Sequence, residues 1–355
     1  MKQANEKMTI LAAGLVIGVI AAALVIAGNP VNMGFCIACF IRDTAGALGL
    51  HRAAAVQYLR PEIPGLVLGA FAAALVSHEF APRGGSSPIT RFVLGFFVMI
   101  GCLMFLGCPF RMILRLAGGD GNALLGLAGF VLGILCGVFF LNRGYSLKRT
   151  YALPKLEGAW LVLIQAAILI LLVMAPAFIF FTEAGGGPGA KHAAAALSLG
   201  AGLAVGIMAQ KTRLCMVGGI RDAVLFREWK LLCGFVAIFA AALAVNAATG
   251  NFHPGFAGQP IAHTDGLWNL LGMLLAGFGC VLLGGCPLRQ LVLSGEGNAD
   301  SAAAVLGLAV GAAFAHNFSL ASSGEGPTAN GKIGVIIGMI VVLMIAVANT
   351  KASEK

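Results

Sequence analysis

Two stretches concentrate the side chains able to do chemistry: GCLMFLGCPFR at residues 101–111 and GCVLLGGCPLR at 279–289. Each places a cysteine, a cysteine–proline pair and an arginine at the same internal spacing. Proline lacks a backbone N–H and favours the first position of a helix, so Pro109 and Pro287 each predict a helix start. Cys108 and Cys286 then become cap residues. A helix start presents free N–H groups and partial positive charge, which attract anions and favour thiolate character in a nearby cysteine. Arg111 and Arg289, two residues into each helix, add positive potential. Polarizable thiols beside a cationic helix end suit a soft, sulfur-like anion better than a hard cation.

A second pair of motifs extends the pattern. GFCIACFIRDTAG (34–46) aligns with RLCMVGGIRDAVL (213–225), pairing Cys36 with Cys215, Arg42 with Arg221 and Asp43 with Asp222. Downstream, GDGNA (119–123) aligns with GEGNA (295–299). The three motifs recur in the same order at a nearly constant offset, so the chain is an internal repeat, residues 1–150 and 151–355. Adjacent opposite charges in a membrane segment are usually paired, so Arg42–Asp43 and Arg221–Asp222 read as anchors of the re-entrant segments, with direct substrate contact as the alternative. Asp120 and Glu296 read as turn and cap residues, helped by Asn122 and Asn298. Cys39, Cys136 and Cys233 have no repeat partner and read as small apolar residues; Cys102 and Cys280 recur but suit close helix packing. Cys36 and Cys39 also form a C-x-x-C, which admits a thiol–disulfide oxidoreductase as an alternative. Its repeat has Gly218 in the second position, so that pair is not part of the shared design. His51, His78, His192, His253, His263 and His316 show no ligand spacing, and neither a metal nor a cofactor is expected.

The elements that must position these residues follow from composition. Of 355 residues 59% are hydrophobic and 10% charged, against about a quarter charged in soluble domains. The fold class is therefore an all-α polytopic membrane protein, with the lipid bilayer as its solvent. Crossing about 30 Å of hydrocarbon takes about 20 residues, and ten runs qualify: 8–28, 62–80, 90–108, 122–142, 158–181, 193–210, 230–249, 267–286, 300–318 and 332–349. The first follows Lys2 and Lys7 like a signal peptide but is longer than an h-region, and is expected to be retained. Five spans separate equivalent points of the two halves. An odd number turns the second half over, predicting an inverted repeat with a site where broken helices meet near the midplane. Four short segments, 35–50, 109–120, 214–229 and 287–297, are predicted as re-entrant half-helices.

The formal charge of +9 is scattered over short loops, which indicates topology and not a nucleic-acid partner. A cytoplasmic N-terminus puts Lys2, Lys7, Arg83, Arg91, Arg143, Lys148, Arg149, Lys155, Lys211, Arg213, Arg221, Arg227, Lys230, Arg289, Lys351 and Lys355 on the cytoplasmic side, with both termini. The loop 250–266, without Lys or Arg, then lies outside. A third reading makes the chain a scaffold that docks a cytoplasmic sulfur or selenium carrier protein on the basic 143–155 and 211–230 loops.

GFC…IRD, GCPFR…GDGNA, RLC…GGIRD and GCPLR…GEGNA resemble the motifs of the YeeE/YedE family of bacterial inner-membrane sulfur-compound transporters. The paired GCPxR motifs look like its YedE-type branch, described as selenium transporters. The resemblance spans nearly the whole chain. It implies an hourglass-shaped, pseudo-symmetric helical transporter whose partner is a small inorganic sulfur or selenium anion such as thiosulfate. It further implies that Cys36, Cys108 and Cys286 hand the anion along by S–H···S contacts, with Cys215 as the symmetry mate of Cys36. This sequence has cysteine at all four motif positions.

Overall fold

A computed structural model describes residues 2–350; the expected cytoplasmic Lys351 and Lys355 lie outside them. The described chain is helical with a single two-stranded ribbon. The first seven helices are α1 (Lys2–Ile26), α2 (Ile37–Ala47), α3 (Glu62–Val76), α4 (Pro88–Phe105), α5 (Pro109–Ala117), α6 (Asn122–Asn142) and α7 (Lys155–Met174). The next seven are α8 (Ala195–Thr212), α9 (Met216–Phe226), α10 (Lys230–Ala248), α11 (Gly266–Leu283), α12 (Pro287–Gly295), α13 (Ala299–Asn317) and α14 (Ala329–Ala348). Among the described residues, β1 (Arg83–Gly84) and β2 (Tyr151–Ala152) form the ribbon.

A helix stands at each of the ten predicted spans, but eight of the helical stretches are long and apolar enough to cross a membrane. The protein is thus a multi-pass membrane protein. The two helices outside that group are α3 and α8. At 1.5 Å per residue the 15-residue α3 reaches about 22 Å, because the chain turns at His78, whose φ is +55°. The last turns of α8 carry Gln210, Lys211 and Thr212, which lower its apolarity. Two of the qualifying stretches, Pro88–Ala117 and Gly266–Gly295, are each a long helix followed by a short one.

The principal pairings all cross between the halves: α1 packs on α10, α3 on α8, α4 on α13 and α6 on α11. Small residues permit the approach, as in other membrane bundles. A Cβ on Gly129 of α6 would fall 2.0 Å from the Leu270 carbonyl oxygen of α11, and one on Gly307 of α13 would fall 2.1 Å from that of Phe92 on α4. Where α4 meets α11, Gly101 lies against Gly272 while Val98 lies against Gly279. The two helices, which hold equivalent places in the repeats, therefore run antiparallel.

One face of the bundle carries charged clusters: Arg83, Arg213 and Arg289 around Glu296, and Lys230 beside Glu6 and Glu228. Elsewhere, the loop after α10 folds over the turn between α5 and α6. Its His253 and Gly255 donate to the Gly118 and Gly119 carbonyls, Gly121 donates to the Gly255 carbonyl, and Asn122 donates to that of Phe256.

Candidate functional site

The four short helices lie close to the predicted half-helices, and each begins at a cysteine: Cys36 caps α2, Cys108 α5, Cys215 α9 and Cys286 α12. Two local reasons produce these starts. In α5 and α12 proline holds the first helical position, where its fixed φ is pre-organised and its missing donor costs nothing. In α2 and α9 the thiol does the capping: Cys36 Sγ accepts the Cys39 N–H at 3.4 Å and Cys215 Sγ accepts that of Gly218 at 3.3 Å. Cys108 and Cys286 make no such cap bond, so neither thiol claims the orphan N–H groups of its own helix.

The structure gathers these cysteines in pairs. Cys36 Sγ stands 3.9 Å from Cys108 Sγ, and Cys215 and Cys286 are close enough to influence each other. All four are buried, Cys215 being the most accessible at 7%. Two cationic helix ends and two thiols therefore face each other in each repeat. Cys102 and Cys280 are also buried, within the helical part of α4 and α11. Cys136 is exposed and Cys233 half-buried.

The two motif arginines have different surroundings. Arg289 donates to Glu296 at 3.1 Å, a carboxylate partner that it shares with Arg213 and Arg83. Arg111 is fully buried and held by backbone carbonyls: Nε by Asn32 at 3.2 Å, Nη1 by Leu106, and Nη2 by Pro260 at 3.3 Å and Ile261 at 3.2 Å. Its Nη1 also stands 3.9 Å from Cys39 Sγ. No carboxylate lies within ion-pair distance of Arg111 among the described residues. Ile261 adopts φ +50°, a left-handed conformation that a β-branched residue rarely takes and that costs about 1–3 kcal/mol. The strained residue is one of those gripping the unmatched guanidinium.

Beyond the thiols, the Arg–Asp anchors differ too. Asp43 is sealed and accepts Arg42 at 2.6 Å and Arg60 at 2.8 Å. Arg60 also lies over the Phe40 and Tyr58 rings and donates to the Lys191 and Pro188 carbonyls. In the loop after α2, His51 accepts the Ala53 N–H at Nδ1 and contacts the Arg42 carbonyl at 3.0 Å through Nε2, which places the proton on Nε2. Burial pushes its imidazole below the usual pKa. The second-repeat pair, Arg221–Asp222 at 2.8 Å, is partly exposed. Asp222 borders a charged cavity of about 380 Å³ that Lys211, Arg213, Glu228 and Lys230 also line.

Several contacts around the site escaped the sequence. Asp120 and Glu296 are ion-pair acceptors as well as turn residues: Asp120 takes Arg115 at 2.6 Å, and Glu296 takes Arg289 and Arg213. Arg60 is the second cation on Asp43. Neither Arg60 nor Arg115 recurs in the second repeat, so the repeat comparison passed over them. His51 stacks on His316 with ring centroids 4.6 Å apart, across a sequence separation that no local spacing reveals. Asn298, as expected, caps α13 by accepting the Ser301 N–H at 3.1 Å.

Residues 211–350 match a family model described as sulphur transport. That segment holds Cys215, Cys286, Pro287 and Arg289; the corresponding first-repeat motifs lie before it. No curated protein matches the chain.

Proposed function

We propose, from the premise that residues 211–350 belong to the sulphur-transport family, that this protein carries a small soft sulfur or selenium anion across a bacterial inner membrane by a relay of thiols. The chain is a transporter of sulfur compounds and not an enzyme. The relay comprises Cys36 and Cys108 in the first repeat and Cys215 and Cys286 in the second. The observation that carries the reading is that all four short helices start at cysteines standing in two close pairs, with Cys36 and Cys108 3.9 Å apart.

The chemistry suits an anion such as thiosulfate. A thiol is a weak donor, and conduction needs contacts strong enough to admit an ion and weak enough to release it. Free N–H groups at the four helix starts supply positive potential without a fixed counter-ion. The antiparallel packing of α4 and α11 supports an inverted repeat, in which each half opens toward one side of the membrane. The clustering of Arg83, Arg213, Lys211 and Lys230 on one face supports that face as cytoplasmic, with both termini there. The cavity beside Asp222 then serves as the cytoplasmic vestibule. Arg42–Asp43 and Arg221–Asp222 act as anchors for α2 and α9.

The test is uptake of labelled thiosulfate, selenite and selenide by liposomes holding the purified protein. Flux above that of empty liposomes is expected for at least one of them. Flux no greater than that of empty liposomes for all three would remove the transport reading. Cys39→Ser separates it from a disulfide chemistry of Cys36 and Cys39: the relay predicts that uptake persists, because Cys39 is not one of its four thiols. An exchange of disulfides would be abolished.

A further inference from the structure

α5 carries two arginines where α12 carries one. The position of Arg115 is occupied by Leu293 in the second repeat. With one arginine on α12, the acid of that repeat, Glu296, takes Arg289 at 3.1 Å and shares itself with Arg213 and Arg83 from outside that helix. In the first repeat Arg115 takes the acid instead, with Nε 2.6 Å from Asp120 and both side chains sealed. Arg111 is left with neutral oxygens and one thiol.

We infer that Arg115 is the residue that sets anion affinity: by occupying Asp120 it keeps Arg111 an uncompensated buried cation, and so lets the site beside Cys39 and Cys108 hold a divalent anion that the thiols then select. The inference rests on the transport reading above and names the residue that tunes its substrate site. A buried charge attracts any opposite charge free to reach it, because low dielectric magnifies the interaction. Asp120 is kept from Arg111 by more than one bond. Its Oδ1 accepts the Asn122 N–H and side-chain amide, both at 2.9 Å, while Oδ2 is held by Arg115. Arg115 is itself fixed by the Phe105 carbonyl at 2.6 Å and lies 4.0 Å from the centre of the Phe105 ring. The cation so released reaches toward the thiols, since Arg111 contacts Cys39 and α5 begins at Cys108. An arriving dianion takes Nη2 from the Pro260 and Ile261 carbonyls, a substitution aided by the left-handed strain at Ile261.

Arg115 is thus a positioning residue, and the second repeat supplies the design of its test. Thiosulfate uptake is measured against concentration for wild type, Arg115→Leu, Asp120→Asn and the double variant in liposomes. Arg115→Leu copies Leu293 and releases Asp120, whose counterpart Glu296 takes Arg289; with Asp120 drawn to Arg111 the half-saturation concentration is expected to rise about tenfold or more, with the maximal rate changed less. Asp120→Asn alone strands the sealed Arg115 and is the stability control, expected to lower the midpoint of thermal unfolding. Adding it to Arg115→Leu removes the competing charge and brings half-saturation back to within about threefold of wild type. An unchanged half-saturation in Arg115→Leu overturns the inference, and so does a double variant as weak as the single one, which would make Arg115 merely structural. Wild-type flux no greater than that of empty liposomes would overturn the transport reading and this inference with it.

Discussion

Replacing Cys108 or Cys286 with serine is expected to lower uptake about ten- to a hundredfold while leaving the fold intact. Serine is among the strongest helix N-caps, and both residues sit at N-caps that make no cap bond of their own. The substitution therefore favours the local structure while it removes the polarizable sulfur. It also turns the freed hydroxyl toward its own helix N–H groups, so the anion loses a contact and meets a competitor for the helix end. A buried bond to a charged group contributes about 1.5–3 kcal/mol, which as a barrier gives that span of rates. Cys102→Ser and Cys280→Ser make the control. Those residues lie within α4 and α11, and their loss is expected to reduce uptake far less. Wild-type flux in both Cys108→Ser and Cys286→Ser would sink the relay.

The second large effect concerns stability. Asp43→Ala leaves the Arg42 and Arg60 guanidiniums without their carboxylate, both buried. Breaking a buried pair costs about 3–5 kcal/mol because a charge is stranded, and here one acid serves two cations. Asp43→Ala is expected to yield little folded protein, read as loss of the monodisperse peak in detergent and a lowered midpoint of thermal unfolding. Asp222→Ala, at the equivalent position, is expected to be mild. Its partner Arg221 is partly exposed at 28%, and solvent-screened pairs contribute about 0–1 kcal/mol. Equal destabilisation by the two substitutions would show that the repeats share one anchor, against the difference in their burial.

Several features of the site were legible because the signals are local. Pro109 and Pro287 announce the start of α5 and α12 one residue after a cysteine, and the structure puts both helices there. The pair Cys36 and Cys215 was legible from the repeat alone, and both became caps. Span boundaries were less legible where a turn interrupts an apolar run. α7 stops at Met174, before the predicted 181, because Ala175 turns left-handed and Pro176 follows. Ion pairing was the least legible. Nothing in the spacing of GDGNA reveals that Asp120 belongs to Arg115 and Glu296 to Arg289, since the choice depends on how each short helix folds back on its neighbours. The same holds for Arg60, which reaches Asp43 across 17 residues. The asymmetry between the repeats, on which the charge of the site depends, resides in such non-repeating residues.

The central claim is that thiols at four helix starts recognise a soft sulfur atom and not merely a negative charge. Sulfate tests it most directly, because it has the charge and nearly the shape of thiosulfate but lacks the terminal sulfur. With both ions labelled and the wild-type protein in liposomes, the account predicts thiosulfate uptake well above that of empty liposomes and sulfate uptake close to it. Equal uptake of the two ions would contradict it.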